Sequence, residues 1–132
     1  MPYGLEIIVD LVQCDAATFT RPNINDYFEE LCQLIKMKPQ ERHFWDYEGC
    51  SPEEIEEARK DPRTFGISAV QFVLPSSIVI HTLPLLRACY VNIFSCRPFD
   101  VMTAVGFTTE FFGGIVENSH AIERGKSCPS MR

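Results

Sequence analysis

The chain has no long apolar run, no excess of basic residues, no Cys-x-x-Cys pair and no internal repeat. Each absence removes a class of protein. No apolar stretch reaches the about 18 residues a membrane-spanning helix needs, so no membrane partner is expected. Only 12 Lys and Arg stand against 18 Asp and Glu, and the net charge of −6 repels phosphate backbones, so no nucleic-acid partner is expected either. The six cysteines, Cys14, Cys32, Cys50, Cys89, Cys96 and Cys128, show no zinc-finger spacing with the three histidines, and no metal site is expected. The opening "MPYGLEIIVDLVQCD" lacks the basic leader and small-residue cleavage site of a secretory signal. A cytoplasmic protein with reduced thiols is the expectation.

What is present suits one domain over residues 1–132, a length able to bury roughly two thirds of its unfolded surface. Residues 4–12, "GLEIIVDLV", are β-branched and apolar enough for a buried strand. After Pro22 the period changes: Ile24, Tyr27, Phe28, Leu31, Leu34 and Ile35 recur at helical spacing, which predicts a helix ending near Lys38, before Pro39. "ERHFWDYEG" (41–49) reads as a short aromatic strand, and "SPEEIEEARKD" as an acidic, solvent-facing helix capped by Ser51. From Gly66 three strands follow, "GISAVQFVL", "SIVIHTL" and "RACYVNIFSC", separated by turn-prone residues. A second main helix over "PFDVMTAVGFTTEFFGG" stops at Gly113 and Gly114, and "GIVENSHAIER" closes as a strand. The pattern predicts an α+β two-layer domain, a mostly antiparallel sheet with two main helices on one face. Its second face is apolar enough to need a cover, and a second copy of the chain is the economical one.

The stretch "LPSSIVIHTLPLLRACYVNIFSC", from Leu74 to Cys96, sets two serines, a histidine and a cysteine among apolar residues. Hairpin connections can bring Ser68, Ser76, Ser77, His81 and Cys96 to one edge of the sheet. Period-2 alternation places Cys96 with Asn92 and Phe94, and His81 with Val79 and Leu83. Taken singly, a strand histidine is ordinarily a satisfied core residue and a strand-end cysteine a small hydrophobe. Taken together, Ser, His and Cys serve acyl transfer, proton transfer or neither, and the residues alone leave these open.

"SSIVIHTLPLL" followed by "VNIFSC" resembles the processing region of the prokaryotic S-adenosylmethionine decarboxylases, where a Glu-Ser pair precedes "IHTWPE" and a strand ends in Thr-Cys. The spacings agree: five residues from Ser76 to His81, fifteen from His81 to Cys96, eight from Ser68 to Ser76. "LEIIVDLVQCD" resembles the family's opening "LILDLYGCD", with residues around 50–64 as an insertion. The resemblance implies a pyruvoyl enzyme made by self-cleavage between Pro75 and Ser76, giving chains 1–75 and 76–132. It implies that Ser76 becomes the pyruvoyl group that forms a Schiff base with the substrate amine, so that neither a metal nor pyridoxal phosphate is needed. Ser68 and His81 would assist processing, Cys96 would return a proton to the substrate carbon, and protomers would pair as an αββα sandwich.

Three residues depart from the family pattern. Pro75 stands where the family has Glu, and Leu83 and Leu85 replace its Trp and Glu, the latter associated with the ribose hydroxyls of the substrate. Phe44, Trp45 and Phe65 are candidates to stack on adenine or face a sulfonium. The resemblance therefore implies decarboxylation of S-adenosylmethionine for spermidine synthesis. The departures admit a basic amino acid, arginine or ornithine, as substrate, or an unprocessed, non-catalytic relative.

Overall fold

A computed structural model describes residues 1–74 and 76–129. The chain runs β1 (Gly4–Val12), a 3-10 turn (Ala16–Thr18), α1 (Arg21–Leu34), β2 (Pro39–Trp45), α2 (Pro52–Ala58), β3 (Ile67–Val73), β4 (Ser76–Leu83), β5 (Ala88–Ser95), α3 (Val101–Phe112) and β6 (Ile115–Arg124). The six strands form one antiparallel sheet in the order β2-β3-β4-β5-β1-β6. The α+β fold expected from sequence is the fold observed. None of the described helices is long and apolar enough to cross a membrane.

Alternation divides each inner strand between two environments. Ile7, Val9 and Leu11 of β1, Ala69 and Val73 of β3, Ile78 and Ile80 of β4, and Val91 and Ile93 of β5 are buried. With them lie Ile24, Tyr27, Phe28 and Leu31 of α1 and Ala104 and Phe112 of α3. Tyr27 is the hub, its ring 4.8 Å from Phe112 and 5.4 Å from Phe111. Its hydroxyl reaches Thr108 Oγ1 at 2.8 Å, and because the Thr108 hydroxyl donates onward to the Ala104 carbonyl, Tyr27 is the donor. Burial drives the Tyr27 hydroxyl pKa upward, so it stays protonated and keeps that bond.

Two element ends differ from the sequence expectation. α1 stops at Leu34 rather than near Lys38, because Lys36 adopts φ 59° and the amides of Lys36 and Met37 bond back to the carbonyls of Gln33 and Cys32. That is the closing pattern usually given to glycine, here carried by lysine. β2 ends at Trp45, not Gly49, because Gly49 at φ 85° and a Cys50-to-Tyr47 amide bond turn the chain into α2. Within β2 the ladder slips between Pro39 and Arg42, and the fully buried Gln71 side chain donates to the carbonyls of Gln40, Glu41 and Phe72. Its own oxygen accepts from Arg42 Nε. The Gln71 side chain thus serves the carbonyls beside the slip.

β3 can approach β4 at its entry only because residue 66 is glycine. A Cβ there would stand 1.7 Å from the Thr82 carbonyl oxygen. Gly66→Ala is expected to lower stability by about 1–3 kcal/mol through forced displacement of that ladder. Urea unfolding followed by tryptophan fluorescence measures it; an unchanged midpoint would contradict the close approach.

Candidate active site

The helix-free face of the sheet carries the polar residues of the central strands. β3 and β4 pair Ser68 with His81, and β4 and β5 pair His81 with Tyr90, while β1 sets Asp10 against Tyr90. β2 adds Trp45 opposite Ser68. One row thus reads Trp45, Ser68, His81, Tyr90, Asp10 across five strands. Ser68 Oγ and His81 Nδ1 lie 2.7 Å apart and share a hydrogen bond, which leaves Nε2 as the ring's second polar atom. A second polar group lies further along the same face. There the Glu6 carboxylate accepts from Asn92 Nδ2 and pairs with Arg124.

Ser76 and Cys96 occupy the other end. Ser76 opens β4 opposite Val73, and the register that sets Ser77 against Phe94 brings Ser76 to the level of Ser95, directly before Cys96. The Ser76 hydroxyl is buried and has no hydrogen-bond partner among the described residues. Cys96 lies just past β5 and lines a cleft of about 230 Å³ with Tyr3, Leu5, Arg97, Pro98 and Glu123. Five residues of strand separate Ser76 from His81, roughly 16 Å at about 3.3 Å per residue. Within one chain, therefore, Ser68 and His81 form a hydrogen-bonded pair, while Ser76 and Cys96 lie toward the opposite end of β4 and β5. Pro75, the other half of the expected cleavage bond, lies outside the described residues.

The three aromatic candidates fall in three environments. Phe44 faces the helix layer, 6.5 Å from Phe28 and under the Arg21 guanidinium at 4.7 Å. Trp45 is 65% exposed on the open face beside Ser68. Phe65 is buried and stacked on Tyr47 at 5.0 Å, and both rings line a cleft of about 330 Å³ with Phe19, Asp46, Glu48, Thr82 and Pro84. Sequence reading had not singled out Asp10, Glu6, Tyr90 or Glu123. Asp10, Glu6 and Tyr90 carry the parity of their strand that faces the open side, a signal legible only once the neighbouring strands are known.

Among the described residues no group of three or more His, Cys, Asp or Glu is placed to hold a metal ion. The buried thiols Cys14, Cys32 and Cys89 have their pKa values raised by burial, Cys32 to about 11, which marks them as core residues.

The sequence profile described as S-adenosylmethionine decarboxylase matches residues 5–125. The chain belongs to the S-adenosylmethionine decarboxylase family. The family name specifies a carboxy-lyase chemistry, the decarboxylation of S-adenosylmethionine. A similar fold is seen in the crystal structure of the adenosylmethionine decarboxylase from Aquifex aeolicus, with a TM-score of 0.73 and 18% identity over 99% of this chain and 98% of that one. No curated protein matches the chain. Within the family's fold, Ser68, Ser76, His81 and Cys96 all lie on the three hairpin-linked strands β3, β4 and β5 or directly after them.

The 330 Å³ cleft is braced by Arg21, which pairs with two of its lining carboxylates, Asp46 and, at 3.4 Å, Glu48. Arg21 Nε and Nη2 each lie 2.7 Å from an oxygen of Asp46, tying the start of α1 to the rim. The hydrogen bond from Arg21 holds the Asp46 carboxyl below the usual aspartate range, against the opposing effect of partial burial. A depressed folded value means the contribution is fully present above the unfolded carboxylate range and is lost as pH falls through the folded value. Arg21→Gln is accordingly expected to unfold at lower urea than the native chain at pH 7, with the gap closing in acid. A gap independent of pH would show that the pair contributes only packing.

Proposed function

We propose that the protein is a pyruvoyl-dependent decarboxylase of the S-adenosylmethionine decarboxylase type, activated by cleavage of its own chain before Ser76. The observation that carries this reading is the buried Ser76 hydroxyl without a partner among the described residues. A group left so costs on the order of 1–3 kcal/mol, a cost retained where the oxygen is needed as a nucleophile. Its electrophile is covalently at hand, the carbonyl carbon of residue 75. Attack by the Ser76 oxygen converts the amide to an ester, and elimination releases the new carboxylate of chain 1–75 and leaves dehydroalanine. Hydrolysis then releases ammonia and leaves a pyruvoyl group heading chain 76–132. The single domain 1–132 holds together afterwards because β3 and β4 stay paired from Ile67–Thr82 onward.

The pyruvoyl group supplies the electron sink for loss of CO2 from an amine-bearing substrate, and no metal or pyridoxal phosphate is called for. The protein's own part is to deliver and remove protons. Cys96, at the level of Ser76, returns a proton to the substrate carbon. The Ser68–His81 pair, roughly 16 Å away along β4, acts on Ser76 of a second copy rather than on its own. The open face supports such a pairing, since Phe72, Tyr90, Trp45 and Ile122 are all substantially exposed on or beside it. Two copies packed face to face give the αββα homodimer. With six free cysteines, the protein is assigned to the cytoplasm.

S-adenosylmethionine is the first substrate, its product serving as aminopropyl donor in spermidine synthesis, with Trp45 and Phe65 offered to its adenine or sulfonium. A basic amino acid, arginine or ornithine, is the second reading. It is favoured by one observation: the β4–β5 turn presents Leu83 and the exposed Leu85, and no carboxylate for ribose hydroxyls.

Intact mass under denaturing, reducing conditions is expected to show two chains, the C-terminal one hydrazine-reactive, and a single chain for Ser76→Ala. Cys96→Ala is expected to be cut but to release CO2 at least tenfold more slowly. One uncut native chain would sink the decarboxylase and leave a non-catalytic relative. Co-expression of Ser76→Ala with His81→Ala tests the second copy. Cut chains carrying His81→Ala are expected only in the mixture, and their absence there would return His81 to its own protomer.

A further inference from the structure

Among the described residues, the polar side chains buried almost completely are Gln71, Thr82, Ser95 and Thr108. Three of them donate to backbone carbonyls, Gln71 to Gln40, Thr82 to Ile67 and Thr108 to Ala104. Ser95 differs. Its oxygen accepts from the Arg97 amide at 3.0 Å, and its hydroxyl hydrogen has no acceptor among the described residues. The register that sets Ile78 against Ile93 and Ser77 against Phe94 continues to Ser76 against Ser95. Both serines share the parity of the buried Ile78, Ile80, Val91 and Ile93, so both lie on the helix-facing side of the sheet. Directly opposed residues of antiparallel strands have Cβ atoms about 4.5–5.5 Å apart, a separation that rotation of the two hydroxymethyl groups can close to a hydrogen bond. Ser76 is the other buried hydroxyl with its hydrogen unspent among the described residues.

We propose that Ser95 is a further catalytic residue of the self-cleavage, its hydroxyl accepting the proton of Ser76 and relaying its own. This rests on the reading of Ser76 as the nucleophile. The Arg97 amide occupies one lone pair of the Ser95 oxygen and leaves the other to receive the Ser76 O–H, which aims the Ser76 oxygen for attack. As that oxygen bonds to the carbonyl carbon of residue 75, the π electron pair of the carbonyl moves onto its own oxygen. The Ser76 proton passes to Ser95, and the hydrogen that Ser95 held passes to the carbonyl oxygen. On collapse the carbonyl re-forms, the bond from carbon to the nitrogen of residue 76 breaks, and that nitrogen takes the proton. The ester is complete, Ser95 is a hydroxyl again, and nothing has been oxidised or reduced. The unspent hydrogen of a buried serine is thereby given a use that the other buried polar residues, each bonded to a carbonyl, do not have.

The test follows cutting of the full-length chain by intact mass after cell-free synthesis, with and without hydroxylamine, which cleaves an ester but not the amide. Ser95→Thr, which keeps a hydroxyl, is expected to cut at close to the native rate. Ser95→Val, which matches threonine in shape, and Ser95→Ala are each expected to cut at least tenfold more slowly. Hydroxylamine is expected not to restore their cutting, because the block precedes the ester. Urea midpoints identify a variant that fails to fold, and the other hydroxyl-free variant then decides. Native-rate cutting by a folded Ser95→Val or Ser95→Ala, or its restoration by hydroxylamine, would overturn the role of Ser95 and leave the decarboxylase standing. A native chain that stays whole would remove the decarboxylase and this relay with it.

Discussion

The site depends on the register of β4 between β3 and β5. With Ile80 opposite Ala69 and Val91, the even-numbered residues of β4 face α1 and α3, and His81 faces outward beside Ser68 and Tyr90. A slip of one residue would exchange the two sets, burying an imidazole and exposing Ile78 and Ile80. The apolar burial that stabilises the sheet is therefore the same constraint that aims the histidine. Structure and chemistry are not separable on this strand.

That constraint also accounts for the odd position of Ser76. As an even-numbered residue it belongs to the helix-facing set, and at the very start of β4 its hydroxyl is enclosed without a hydrogen bond among the described residues. Elsewhere in the interior polar groups are satisfied with care. Gln71 serves three carbonyls, Thr82 bonds the backbone of Ile67 as donor and acceptor, and Thr108 relays between Tyr27 and Ala104. Against that background a bare hydroxyl is an exception with a location, one residue past the hairpin.

The two faces divide the labour. The helix side is filled by aliphatic strands and an aromatic group around Tyr27, and needs nothing further. The open side mixes Val70, Val79 and Phe94 with Glu6, Asp10, Asn92 and all three histidines in or beside its rows. Glu6 is already held by Asn92 and Arg124, so part of this polarity is neutralised before anything covers it. A face of that kind is suited to an interface that contains chemistry, whereas a wholly apolar one is suited only to adhesion.

Strand alternation from Gly66 to Cys96, the α1 stripe and the Gly113–Gly114 stop were legible in the sequence because each is a local pattern of period or turn chemistry. The spacing of Ser68, Ser76, His81 and Cys96 was legible in the same way, as the mark of a family. The ends of α1 and β2 were not, since Lys36 takes a left-handed conformation that its side chain does not announce and Gly49 cuts short an aromatic run. Nor could spacing tell that Ser68 and His81 meet in a hydrogen bond some way along β4 from Ser76, nor that Glu123 returns from β6 to the cleft beside Cys96. Distance along a chain sets which face a side chain takes, but only the pairing of strands far apart in sequence decides which side chains meet.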